Sequence, residues 1–224
     1  MDIEPLIISI KTALTATFIT FILGIIISYK MMLYKGKYEN IIDTLLTLPL
    51  ILPPTVVGFF LLLIIGKNGP IGILLNNFNI NLIFTWSATV ISATVVSFPI
   101  MYRTCKGAFE QIDNNMICAA KTLGLSESRI FLKILIPLAY PGIISAIVLS
   151  FARALGEFGA TLMIAGNIPG KTQTMPIAIF FAVESGNMSQ AMIWVMIIIG
   201  LASSIIVISN CILNSKQSKL GKGK

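Results

Sequence analysis

The chain contains no histidine, only three cysteines and few charged residues. Without histidine, acid–base catalysis by imidazole and metal binding by imidazole are excluded. Cys105, Cys118 and Cys211 show no spacing typical of a metal site or of a disulfide framework. An enzyme, even one embedded in a membrane, is therefore a less favoured function class, because no nucleophile–base pattern or metal cluster is visible.

Charged residues make up 11% of the 224 residues, and apolar residues make up 56%. A soluble domain of this size carries roughly a quarter charged residues. We therefore expect lipid to surround much of the chain, and we predict an all-α integral membrane protein. The net charge of +7 does not indicate nucleic acid, because the basic residues are spread between apolar runs.

Five apolar runs are long enough to cross a bilayer core, which needs about 20 helical residues. They cover residues 6–29, 45–65, 82–102, 138–165 and 191–213. A further apolar segment, Met175 to Val183, is too short to span and is expected to be re-entrant or interfacial. We predict one transmembrane domain over residues 1–215, followed by a basic cytoplasmic tail, 216–224.

The distribution of Lys and Arg predicts the orientation of these spans. Basic residues are concentrated after the first run, in the central loop 103–137 and in the tail, whereas Lys67 and Lys171 are the basic residues between the other runs. By the positive-inside rule, the basic segments are cytoplasmic, so the N-terminus is outside and the C-terminus inside.

The second run contains Pro53, Pro54, Thr55 and Gly58. Proline within a membrane helix bends it and frees backbone carbonyls, which is tolerated where protein or a water-filled cavity covers them. Two interpretations stay open: a helix that lines a pathway, or a kinked helix that only packs.

The fourth run carries two charged residues, Arg153 and Glu157, four positions apart on one helical face and in the outer half of the membrane. Each is unfavourable in hydrocarbon unless it is paired or hydrated. The pair either borders the path of an anion or fixes helix packing. Together with nearby small residues, the candidate pathway or gate residues are Pro53, Pro54, Thr55, Gly58, Arg153, Glu157, Gly159 and Thr161.

The central loop predicts two short helices separated by a bend. Asp113 can accept hydrogen bonds from the first turn of the first helix, and Gly124 lies where that helix would end. Ser126 is suited to begin the second helix, and Pro137 opens a new apolar run.

This loop resembles the EAA loop of ABC-transporter permeases, in which Glu-Ala-Ala is followed by a glycine and then by Ile-x-Leu-Pro. Ala119, Ala120, Gly124, Ile134 and Pro137 match, whereas Cys118 replaces the Glu and Ile136 replaces the Leu. The resemblance implies a cytoplasmic two-helix coupling loop that docks on an ATPase. The residues assigned to it are Cys118, Ala119, Ala120, Gly124, Leu125, Ser126, Ile134 and Pro137.

Residues 48–58, the turn Gly69-Pro-Ile-Gly72 and the segment 154–179 also look like the molybdate permeases of bacterial ABC importers. The resemblance implies a homodimer in a prokaryotic cell membrane, two cytoplasmic ABC ATPase subunits and an external oxyanion-binding protein. Tungstate and sulfate or thiosulfate permeases are alternatives, since they share much of the Gly156-Glu-Phe-Gly-Ala160 pattern. A stand-alone anion channel is less favoured, because it needs no docking loop.

The segment Gly166-Asn-Ile-Pro-Gly170-Lys171-Thr172 ends like a phosphate-binding loop, but three residues rather than four separate its glycines. We therefore expect no cofactor and no nucleotide in this chain. ATP with Mg²⁺ is expected on the partner ATPase.

Overall fold

The computed structural model describes residues 3–221 of the chain, and these residues form helices and connecting loops without a β-strand. The helices are α1 (Glu4–Leu33), α2 (Glu39–Ile51), α3 (Pro54–Ile65), α4 (Pro70–Asn76), α5 (Trp86–Glu110), α6 (Asn114–Thr122), α7 (Glu127–Ile130), α8 (Ile136–Leu155), α9 (Gly159–Ala165), α10 (Met175–Glu184) and α11 (Met188–Gly221). A π-helical turn, Phe131–Leu135, joins α7 to α8. The predicted all-α class is confirmed.

Three helices in the described part of the chain are long and apolar enough to cross a membrane: Glu4–Leu33, Glu127–Leu155 and Met188–Ile208. A fourth is counted if the bent pair α2–α3 forms one span. The predicted third run corresponds to α5, which has 25 residues but carries more polar residues than these helices. The count of five spans therefore stays a prediction.

Helix α5 lies at the centre of the fold, packed against α1, α2, α8 and α9. Its buried residues include Thr89, Ser92 and Ser97, because this helix faces protein rather than lipid. Small residues allow α1 to approach it closely: a Cβ at Gly24 would lie 2.5 Å from Cγ of Met101. Close packing of this kind, rather than the hydrophobic effect, drives helix association in lipid.

The predicted second run is divided into two helices that meet at an angle of 113°. Leu52 and Pro53 are extended between them, with ψ of 143° and 137°. Prolines 53 and 54 cause this break, since neither can donate a backbone hydrogen bond and the first restricts the residue before it.

The predicted fourth run, 138–165, is also not one helix. It is interrupted after Leu155, and α9 begins at Gly159. On its N-terminal side the helix extends back through the π turn to Glu127. Glu157 therefore lies in the break between two helices rather than on a continuous helical face.

The C-terminal part consists of the apolar helix α10, which has 10 residues and packs against α11 and α1, and the long helix α11. The shortness of α10 agrees with the prediction that this segment does not span. Helix α11 continues to Gly221, beyond the predicted end at residue 213. Of the predicted basic tail, residues 222–224 lie outside the described residues.

The two ends of α1 identify two ends of the molecule. At the first end, the carboxylate of Glu4 lies beside Gly170, so that the loop between α9 and α10 covers the start of α1. At the other end, the ring of Tyr29 lies 4.4 Å from that of Phe131, which belongs to the central loop. The predicted outer loop and the predicted cytoplasmic loop therefore lie at opposite ends of one 30-residue helix.

Candidate functional site

Helices α3 and α9 cross where the sequence placed the candidate pathway residues. A Cβ added at Gly58 would lie 2.8 Å from Cα of Ala160, and one added at Gly159 would lie 3.2 Å from the backbone nitrogen of Thr55 and from Cβ of Pro54. Gly58 is therefore required by the close approach of the Ala160 backbone, and Gly159 lies where a side chain would be tightly packed. The structure brings together Pro54, Thr55, Gly58 and Gly159 at this crossing, with Pro53 in the bend beside it.

Glu157 lies in the break, two residues before α9 begins, and makes two different contacts. Its Oε1 accepts a hydrogen bond of 2.8 Å from the backbone N–H of Ala160, and its Oε2 lies 2.7 Å from Nη1 of Arg153. The Glu157 side chain is 2% exposed, whereas the Arg153 side chain is 27% exposed. A carboxylate at a helix N-terminus also interacts favourably with the helix dipole. The carboxylate therefore fixes the break, and the guanidinium is the accessible member of the pair.

Thr161 is fully buried, and its hydroxyl lies 2.7 Å from that of Ser92 on α5. Nearby, the hydroxyls of Thr12 on α1 and Thr89 on α5 are 2.9 Å apart. These contacts connect α1, α5 and α9 by hydroxyl pairs inside an apolar bundle. Sequence analysis missed Thr12, Thr89 and Ser92, although hydroxyls in otherwise apolar runs indicate helix contacts in membranes.

Asp43 of α2 forms a second polar contact that sequence analysis missed. Its Oδ1 accepts a hydrogen bond of 2.5 Å from the hydroxyl of Tyr102 and lies 2.7 Å from Nζ of Lys106. Both partners belong to α5, and the Lys106 ammonium is also 4.0 Å from Glu110. The N-terminal half of the bent pair is therefore attached to the central helix by charge. The only sequence signal was an acidic residue just before an apolar run.

The first helix of the central loop is α6, and it begins as predicted, since Asp113 Oδ1 accepts a hydrogen bond of 2.9 Å from the backbone N–H of Asn115. At its end, Gly124 has φ of +75° and donates to the carbonyl of Lys121, while Leu125 donates to the carbonyl of Ala120. These two bonds define a Schellman motif, which needs a left-handed residue at this position. The predicted bend at Gly124 is confirmed.

The surface of this loop is small and partly apolar. Cys118 and Ala119 are exposed, whereas Ala120 is buried in the bundle. Leu123, directly before Gly124, is 81% exposed and projects from the tip of the bend. Sequence analysis did not select Leu123. The available signal for it was a leucine directly before the glycine that ends a polar helix.

The second part of the loop leads directly into the membrane. Ser126 precedes α7 as predicted, but its hydroxyl makes no capping hydrogen bond. Ile134 lies in the π turn and Pro137 in the first turn of α8, so the two residues continue one helix and do not begin a separate one. Pro137 explains the π turn, because in a normal α-helix its ring would clash with the carbonyl of Lys133.

Residues 20–215 match the family of binding-protein-dependent transport system inner membrane components. The chain is 45% identical to the protein YvgM of Bacillus subtilis (strain 168), with 87% of this chain and 86% of the relative covered. It is 37% identical to the molybdenum transport system permease protein ModB of Escherichia coli (strain K12), with 98% and 96% covered.

Among solved structures, the fold is similar to a chain of the MetNI methionine ABC transporter in an inward-facing conformation. The TM-score is 0.76 and the identity 14%, with 95% of this chain and 94% of the other covered. At this identity the similarity establishes the arrangement of helices and does not identify a transported molecule.

Proposed function

The chain belongs to the family of binding-protein-dependent transport system inner membrane components, and on that premise we propose that it is the permease subunit of an ABC importer for molybdate. The proposal that the substrate is molybdate rests on the 37% identity to ModB of Escherichia coli over 98% of this chain. In this role the chain binds no nucleotide and performs no catalysis, and ATP with Mg²⁺ is hydrolysed by a partner subunit.

The ATPase docks on the surface formed by Met116, Cys118, Ala119, Leu123 and Gly124. All five residues are exposed, at the end of the molecule opposite to the outer loop. Leu123 supplies an apolar side chain that fills a pocket on the partner, and the small residues around it allow close approach. Because α6 packs against α7 and α7 continues into α8, movement of this surface is passed to the membrane.

Two copies of the chain form the pore, with an external oxyanion-binding protein at the end that carries Glu4 and Gly170. This arrangement places the N-terminus outside and the C-terminus in the cytoplasm. It agrees with the opposite positions of the two loops at the ends of α1.

Within the pore, Arg153 meets the anion while Glu157 holds the guanidinium in place. The difference in exposure between the two side chains supports this division of roles. An anion must be bound weakly enough to leave again. The carboxylate at 2.7 Å reduces the attraction of the arginine and so prevents tight binding.

The decisive experiment is reconstitution of the chain with its ATPase and binding protein, followed by measurement of which oxyanion stimulates ATP hydrolysis and uptake. We expect molybdate to stimulate both more strongly than sulfate. Stronger stimulation by tungstate or sulfate would assign the alternative cargo, and uptake without ATP hydrolysis would indicate a channel.

The docking surface is tested with Leu123→Ser. We expect the ATPase to co-purify poorly with this variant, because the anchor loses its apolar contact. Leu74→Ser is the matched control, since Leu74 is 63% exposed on α4, at the opposite end of the molecule. Equal retention of the ATPase by both variants would show that Leu123 is not part of the docking surface.

A further inference from the structure

A groove opens between the predicted cytoplasmic ends of α5 and α8, away from the Arg153–Glu157 pair. It encloses a volume of about 570 Å³ and is bordered by both helices. Its polar lining consists of Arg103, Thr104, Gln111 and Ser145. The guanidinium, the Thr104 hydroxyl and the Gln111 amide are donor types that bind tetrahedral oxyanions, whereas the Ser145 hydroxyl donates to the carbonyl of Pro141 at 3.0 Å.

Arg103 is the charged side chain among the residues that line the groove, and the neighbouring cation on α5 is already paired. Lys106, one turn further along α5, lies 2.7 Å from Asp43 and 4.0 Å from Glu110. Arg103 forms no ion pair with any residue of the described range 3–221, and it is exposed. The guanidinium lines the groove and is therefore available to an anion that enters it.

One wall of the groove carries a glycine with open space beside it. Gly107 lies on its wall, and a Cβ added there would meet nothing within 4 Å. By contrast, Gly142 on the facing helix is needed for packing, since its Cβ would lie 2.4 Å from Cβ of Ala108. Helix contact thus explains Gly142, whereas the open space beside Gly107 is not required by any contact of the fold.

The groove and the outer ion pair share one face of α8. Ser145, Leu149 and Arg153 follow each other at intervals of four residues, and Leu149 is 50% exposed. From Ser145 to Arg153 the axial distance is ~12 Å at 1.5 Å per residue. An anion that leaves Arg153 toward the cytoplasm therefore meets Arg103 on the same side of the helix.

We propose that the groove bounded by Arg103, Thr104, Gln111 and Ser145 is the cytoplasmic exit site of the transported oxyanion. The inference rests on the proposed function and adds a second positive site to the path. Two weak sites in series permit release, because an anion at the second is exchanged with the cytoplasm rather than returned to the first.

The test measures occupancy of the groove by chemical protection. The thiol of a Ser145→Cys variant is labelled with a small hydrophilic reagent in the complex with the ATPase, in nanodiscs of phosphatidylcholine. A second cysteine at Lys35, whose side chain is 72% exposed and lies outside both the groove and the docking surface, serves as the internal control and is resolved by mass spectrometry. We expect molybdate or sulfate, but not chloride at equal ionic strength, to slow labelling in the groove several-fold and to leave the cysteine at position 35 unaffected.

Charge and space are then tested separately. Arg103→Gln should raise the anion concentration needed for half-protection roughly tenfold, the effect of one lost charge-assisted hydrogen bond. Lys37→Gln, an equal charge change on the same side of the membrane, should not. Gly107→Leu should fill the groove and slow both labelling and uptake, whereas Gly107→Ala should leave both unchanged.

Absence of protection by any oxyanion, or equal protection in the Arg103→Gln variant, would overturn the proposal. Protection that appears only when phosphatidylglycerol is added would also overturn it, because the groove would then hold a lipid headgroup. Uptake by the unaltered complex is measured in parallel. Molybdate uptake without protection would reject the exit site alone, whereas protection with uptake of sulfate only would reject the proposed cargo and retain the site.

Discussion

At the scale of single residues, Glu157 combines two functions that substitutions can separate. Glu157→Gln keeps an oxygen for the Ala160 N–H but removes the charge that faces Arg153, whereas Glu157→Ala removes both contacts. We expect Glu157→Ala to destabilise the protein by about 1–2 kcal/mol, because it removes the hydrogen bond to Ala160 while the remaining guanidinium is accessible, and Glu157→Gln by less. Melting in detergent measures the difference.

The same variants distinguish an anion-binding arginine from a packing pair. If Arg153 meets the anion, Glu157→Gln should fold and assemble but turn over slowly, because the uncompensated guanidinium holds the anion longer. Arg153→Gln should then lose uptake more severely. Unstable single variants whose stability and uptake are both restored in the double variant would instead show that the pair only fixes the packing of α8 and α9.

Gly124 offers a second prediction for a single residue. Its φ of +75° makes Gly124→Ala strained by about 1–2 kcal/mol, although a Cβ there meets nothing within 4 Å. We expect this variant to bind the ATPase less well, because the strain alters the bend of the docking surface. Gly186→Ala is the matched control: it has φ of +76° and an equally open environment after α10. Equal loss of ATPase binding in both would indicate a general loss of stability.

Several of these residues could be predicted from sequence, and others could not. Asp113 and Gly124 act on backbone groups within a few positions, so their roles follow from local rules that any helix obeys. Glu157 was assigned to the correct partner, Arg153, but its bond to Ala160 depends on the break after Leu155. Asp43 and Ser92 find their partners on another helix, and sequence spacing carries no information on such pairs.

At the scale of helices, the crossing of α3 and α9 depends on the absence of a side chain. Gly58→Ala would place a Cβ 2.8 Å from the backbone of Ala160, so the two helices must separate. We expect a loss of about 1–3 kcal/mol, typical of overpacking, and a lower melting temperature. Gly107→Ala serves as the control within a helix of the same bundle. A Gly58→Ala protein as stable as this control would exclude the close crossing.

Apolar runs predicted where helices occur but not where they are interrupted. The break at Pro53 and Pro54 was expected as a kink, since proline has a local effect, but the angle of 113° depends on the packing of α3 against α9. The break after Leu155 contains no proline, and glycine is ordinary in membrane helices. It becomes recognisable only once the Glu157 carboxylate is seen at the start of α9.

At the scale of the whole molecule, the orientation in the membrane is open to direct measurement. Cysteines placed at Lys67 and Lys171 should react with an impermeant reagent in intact cells, because both positions follow the predicted outer ends of spans. Cysteines at Lys35 and Lys121 should react only after permeabilisation. Natural Cys118 should behave like position 121, and Cys105, which is fully buried, should not react until the protein is denatured. Labelling of position 121 from outside would reverse the orientation.

Because α7, the π turn and α8 are continuous, one helix can transmit axial movement from the central loop into the bundle. Residues Glu127–Leu155 form one continuous helical column of 29 residues, which follows the bend of the docking surface and carries Arg153 in its last turn. No loop interrupts this column, so an axial displacement of its first turn is carried toward the guanidinium. Bending can be absorbed at the π turn Phe131–Leu135 and at Pro141, which lies inside α8. The column therefore transmits displacement mainly along its own axis.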